Sequence, residues 1–124
     1  MNANTAAYIC LAAALLIFGG CSRETSAPAP LPVAQIPTTI KSAFTKANPD
    51  AQSSVNEYVT ALQSKELPKA FSQLRDLSAR RDLTPDQRAV AARAMATTFQ
   101  QLRLAAEAGD PQAAAMVHSY LVTR

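Results

Sequence analysis

A chain of 124 residues carrying a net charge of +3 has room for one domain once its apolar N-terminal run is set apart. Between Asp50 and Arg124, nine Lys or Arg are interspersed with eight Asp or Glu, and the adjacent pair Arg80-Arg81 is followed at once by Asp82. That pattern is a solvated, mixed-sign surface and excludes the basic, aromatic-interleaved stripe that nucleic-acid binding requires.

Ala6 to Gly20 holds no charge and is rich in Ala, Leu and Ile. As a helix it would rise only about 22 Å, against a hydrocarbon core of about 30 Å. This length predicts the apolar region of a secretory signal peptide rather than a permanent span. Phe18-Gly19-Gly20-Cys21-Ser22 follows directly, with small residues leading up to a cysteine. The stretch resembles the lipobox of bacterial lipoproteins. The resemblance implies cleavage after residue 20 and a diacylglycerol on the Cys21 thiol. It also implies fatty acyl chains such as palmitate on the new N-terminus, a firm anchor at about 0.8 kcal/mol per buried methylene. The location implied is the cell envelope, and Ser22 in place of Asp implies the outer membrane, facing the periplasm, in a Gram-negative host. The alternative reading is an uncleaved signal anchor with Cys21 an ordinary thiol.

Ser22 to Pro37 contains Pro28, Pro30, Pro32 and Pro37. Proline fixes φ and lacks a donor, so residues 21–37 are expected to form a disordered, extended tether after the lipidated cysteine. The folded domain is then placed at residues 38–124. Cys10 and Cys21 both precede it, leaving it no disulfide and no thiolate cluster for a metal.

Within the domain, a short helix over residues 38–47 would turn Ile40 and Phe44 inward. Asn48-Pro49-Asp50, Thr84-Pro85-Asp86-Gln87 and Asp110-Pro111-Gln112 each set a capping residue before a proline, which is favoured at the first helical position. Thr84 with Gln87 fits a capping box. Pro68 has no such cap. Helical spacing recurs in Val55, Tyr58, Val59 and Leu62, and again in Leu67, Phe71, Leu74 and Leu77. Ala92, Met95, Ala96, Phe99, Leu102 and Ala106 draw a stripe along the longest helix, which Gly109 ends. Ala113, Met116, Val117, Tyr120 and Leu121 predict the last inward face. No window alternates with a strand period, so the expected fold is all-α, a small bundle of about four antiparallel helices in two hairpins. Fifteen alanines lie between Asp50 and Arg124, so the large apolar side chains must carry a thin core. Such a core leaves part of an apolar face for a second copy or a partner.

Leu67, Ala70, Leu74 and Leu77 resemble the second helix of a tetratricopeptide-type hairpin. The run Ala105-Ala106-Glu107-Ala108-Gly109-Asp110-Pro111-Gln112-Ala113 is similar to the turn of Sel1-like repeats. Each likeness covers half a repeat, and no period recurs along the chain. Both imply helical hairpins and a protein-binding role.

The inventory for catalysis is nearly empty. Gly109 is the one glycine after the N-terminal run, so no phosphate-cradling loop is available. His118 is the one histidine and lacks partners for a zinc site. Ser119 beside it points about 100° away on a helix. Asp82 and Asp86 sit at a helix start, where the dipole accounts for acidic residues. With Trp absent, no aromatic sugar platform stands behind them. The sequence therefore predicts a non-enzyme without metal or cofactor. The expected molecule is an anchored interaction module whose partner is an envelope protein or a second copy. The alternatives are a spacer lipoprotein without specific recognition, and a small ligand carrier or hydrolase using His118.

Overall fold

Every α-helix among the described residues starts at or beside a proline. The computed structural model describes residues 28–124, which are all-helical. A 3₁₀ turn, Val33–Gln35, leads into five α-helices: α1 Ile36–Ala43, α2 Pro49–Gln63, α3 Leu67–Ser78, α4 Pro85–Glu107 and α5 Pro111–Val122. Each carries proline at its first or second position, where a missing backbone donor costs nothing. The Asn48 side chain accepts from the Ala51 amide at 2.8 Å. Thr84 and Gln87 close a capping box, at 3.2 Å and 3.0 Å. Asp110 accepts from the amides of Gln112 and Ala113 at 2.9 Å and 3.1 Å. The start of α3 has no side-chain cap, as the sequence around Pro68 suggests.

Two helices end in the same backbone device. The Glu66 amide bonds the Ala61 carbonyl and Lys65 that of Leu62; Asp110 bonds Ala105 and Gly109 bonds Ala106. The motif needs a left-handed residue, and the two copies fill it differently: Gly109 has φ 101° and Lys65 has φ 59°. A side chain is strained there, whereas glycine is not. Lys65→Gly is therefore expected to stabilise the fold by about 1 kcal/mol. Gly109→Ala, where an added Cβ would meet no atom within 4 Å, should lose about 1 kcal/mol through backbone strain alone. Urea unfolding of both variants checks the opposite signs.

Neighbouring helices in the chain pack on one another, α1 also lies on α4, and α3 also reaches α5. The core falls into two clusters. The first joins Leu31, Ile36, Ile40, Phe44, Val55, Tyr58, Val59, Leu74 and Leu77 to the first half of α4. The second is smaller: Phe71, Leu102 and Ala113, ringed by half-buried Phe99, Met116, Val117 and Tyr120. α4, about 34 Å long, belongs to both.

The packed region starts before residue 38. Leu31 is 3% exposed and Ile36 is 0% exposed, so the last part of the segment expected as a tether belongs to the core. Pro37 occupies a first-turn position of α1, the same use the other helix-starting prolines have. The expected face of α4 is also rotated. Gln87, Ala91, Ala94, Thr97, Thr98 and Leu102 are its buried residues, while Ala92 and Ala96 stand half-exposed. The buried hydroxyls are satisfied. Thr98 donates to the Ala94 carbonyl at 2.8 Å and so accepts from the Tyr58 phenol at 2.7 Å; Thr97 donates to the carbonyl of Leu31.

Burial, opposed in part by the Thr98 bond, pushes the Tyr58 phenol up to about 12. A raised folded pKa means that the stability is fully present below the unfolded value near 10 and is lost as pH rises through the folded one. The loss between pH 10 and 12 should amount to about 2–3 kcal/mol. It should be absent in Tyr58→Phe, with urea unfolding followed across that range as the check.

Candidate interaction surface on the last helix

Helix α5 contains no charged residue from Pro111 to Val122. Its inner face is Ala113, fully buried, with Met116, Val117 and Tyr120 half-buried against α4 and α3. The Tyr120 ring meets Phe71 edge-on, with centroids 5.1 Å apart, and Phe99 at 5.1 Å; Phe71 and Phe99 lie 5.6 Å apart. These geometries are the favoured ones for aromatic groups. The Arg124 guanidinium sits 5.4 Å from the Tyr120 centroid and covers the end of this cluster.

The opposite face is bare. Ala114, Ala115 and His118 are exposed, and so are Leu121 at 56% and Val122 at 69%. Sequence periodicity assigned Leu121 to the inward face, and the structure turns it outward. Charges mark other outer faces: Arg103 pairs with Glu107 at 3.7 Å on α4, and Lys69 with Glu66 at 3.6 Å on α3. Leu104 and Val33 are also exposed. Those stand singly, as is ordinary on a surface, whereas Leu121 and Val122 are adjacent on an uncharged helix.

Two grooves lie elsewhere on the domain. An open groove of about 430 Å³ runs along α4 past Phe99, Arg103 and Leu104. A smaller one lies between Lys46, Asn48, Asp82 and Gln87. There Arg80 binds Asp82 through Nε at 3.1 Å and a terminal nitrogen at 2.8 Å, and Asn48 donates to the same carboxylate. The bonded guanidinium of Arg80 holds the Asp82 carboxyl below its ordinary range. This cluster ties the cap of α2 to the loop before α4, and its polar atoms answer one another. Asp86 stands in the first turn of α4.

His118 and Ser119 are both exposed, and neither groove includes them. Among the described residues, no three His, Cys, Asp or Glu gather as metal ligands, and no helix is long and apolar enough to cross a membrane. Cys21 lies outside the described residues. Comparison with family models, curated proteins and solved structures finds no match. The outer face of α5 is the feature that periodicity alone did not deliver. Its signal was the uncharged stretch between Asp110 and Arg124.

Proposed function

We propose that the protein is a small bacterial lipoprotein, anchored to an envelope membrane through acylated Cys21, whose helical domain is a non-catalytic protein-interaction module. The observation that carries the interaction reading is the uncharged outer face of α5, with Leu121 and Val122 exposed. Exposing such side chains together is unfavourable in water, and clusters of this kind mark interaction sites. The lipobox-like Gly19-Gly20-Cys21-Ser22 supports the anchor.

On this reading the domain sits close to its membrane. The Ala29 carbonyl accepts from Arg93 Nε at 2.9 Å, so the chain is held to α4 from Ala29 onward. Eight peptide steps separate that residue from Cys21, a span of at most about 29 Å.

Intact-mass measurement of membrane-extracted protein tests the anchor. The expected mature chain begins at Cys21 and carries acyl mass, and Cys21→Ala should retain residues 1–20 and lack that mass. An unmodified wild-type chain beginning at Met1 would overturn the anchor. A photo-crosslinking amino acid at Ala115 tests the module: a protein adduct is expected there and not from the same group at exposed Asn56 on α2. Equal or absent adducts at the two positions would favour a spacer.

A further inference from the structure

We propose that the outer face of α5 docks on α5 of a second copy, antiparallel, about a two-fold axis through His118. The inference deepens the module reading and rests on it. Ala114, Ala115, His118, Leu121 and Val122 are all exposed, and at 100° per residue they fall within about 120° of one another on the helix. The pattern is symmetric about its centre. In an antiparallel pair with His118 facing His118, the two-fold axis keeps each residue on its own side of the seam, so Ala114 lies beside Leu121 of the second copy and Ala115 beside Val122. Small residues thus stand opposite large ones all along the seam, the condition for two surfaces to interdigitate. A face with its alanines at one end and its large residues at the other matches itself only in this orientation.

The electrostatics agree. No Lys, Arg, Asp or Glu lies between Asp110 and Arg124, so no fixed charge on the seam repels its own copy. Antiparallel helices also set opposite dipole ends side by side. Such a contact is isologous and closes at two chains.

A helix of 12 residues is about 18 Å long. One contact of that length buries less than the roughly 1,200–2,000 Å² of stable interfaces. Pairing therefore depends on concentration, and anchoring to one membrane supplies it. A two-fold axis along the membrane normal directs both tethers to the same surface.

The test is cysteine crosslinking of the full chain in isolated membranes, with Cys10→Ala as background. Helix axes 8–10 Å apart leave facing Cα atoms about 3–5 Å apart, within or close to disulfide reach. His118→Cys should give a band of twice the mass under oxidation. Gln112→Cys and Ser119→Cys, off the face, should give at least five-fold less, and Leu121→Glu added to His118→Cys should lower the yield to their level. No dimer at position 118, or equal dimer at the control positions, overturns the proposal. An Ala115 photo-adduct with a different protein, without homodimer, overturns it while leaving the module reading in place. Dimer already present in the chain with native His118 reports a free Cys21 thiol and overturns both the anchor and the pairing that depends on it.

Discussion

Replacing Phe71 by alanine should cost about 3–5 kcal/mol, the cost of truncating a fully buried phenylalanine. The second core cluster has just three fully buried side chains, Phe71, Leu102 and Ala113, and Phe71 is the largest of them. Its ring spans three helices, leaving α3 to touch Phe99 of α4 and Tyr120 of α5. Small alanines nearby, Ala105, Ala106 and Ala113, cannot swing into the space, so little of the cavity can collapse. Small domains have about 5–15 kcal/mol of stability in total, so the variant should sit near its unfolding threshold at ordinary temperature. The expected urea midpoint falls accordingly, as followed by helical circular dichroism. The order of loss is also specified. Hydrogen exchange in α5 should accelerate before that in α2, since α5 is held chiefly by this aromatic cluster and α4. Leu121→Ala, on the bare face, should change stability by less than about 0.5 kcal/mol. A loss below 1 kcal/mol for Phe71→Ala would mean that α5 stays in place without its aromatic contact.

The parts of the fold that were legible are those in which one local interaction decides the outcome. Proline beside Asn48, Thr84 and Asp110 marks three helix starts because cap and proline act within one turn. Gly109 marks an end because few other residues tolerate φ 101°. The faces of α2 and α3 were legible too: Val55, Tyr58, Val59, Phe71, Leu74 and Leu77 are all buried. α4 is different. The N-terminal segment, α1, α3 and α5 all press on it, so a single apolar stripe cannot describe its surroundings. Gln87, Thr97 and Thr98 are buried there because Ala43, Leu31 and Tyr58 supply partners distant in sequence. No period carries that information. The same reason hid the candidate site. That α5 is uncharged can be read along the chain, but which of its apolar residues face solvent depends on its being covered on one side only. The proposed anchor rests on a motif around Cys21, and its reading is chemical rather than geometric.

Leu31→Ala is expected to destabilise the domain by about 2–4 kcal/mol, in line with other buried leucine truncations. A leucine between Pro30 and Pro32, in a segment that reads as spacer, would ordinarily be worth nothing. Here it is 3% exposed while both prolines are exposed, and its backbone is held as well. Its amide lies 3.5 Å from the Arg93 carbonyl, its own carbonyl accepts from Thr97, and Ala29 accepts from Arg93 Nε at 2.9 Å. The flanking prolines help, because restricted φ lowers the entropy lost when the segment settles on α4. Val33→Ala, at a position 43% exposed, should stay within about 0.5 kcal/mol of the parent. Urea unfolding of a chain beginning at Pro28 separates the two variants, and proteolysis near Val33 should quicken in Leu31→Ala alone. The outcome bears on the proposed anchoring. If Leu31 holds, the domain can stand no farther from its lipid than the chain from Cys21 to Ala29 allows, and two anchored copies are confined to a thin layer at the membrane. If Leu31→Ala is neutral, the clamp is an incidental contact and the packed domain begins at Ile36. The spacer then gains seven residues, about 25 Å of reach, and membrane confinement raises the local concentration of α5 correspondingly less.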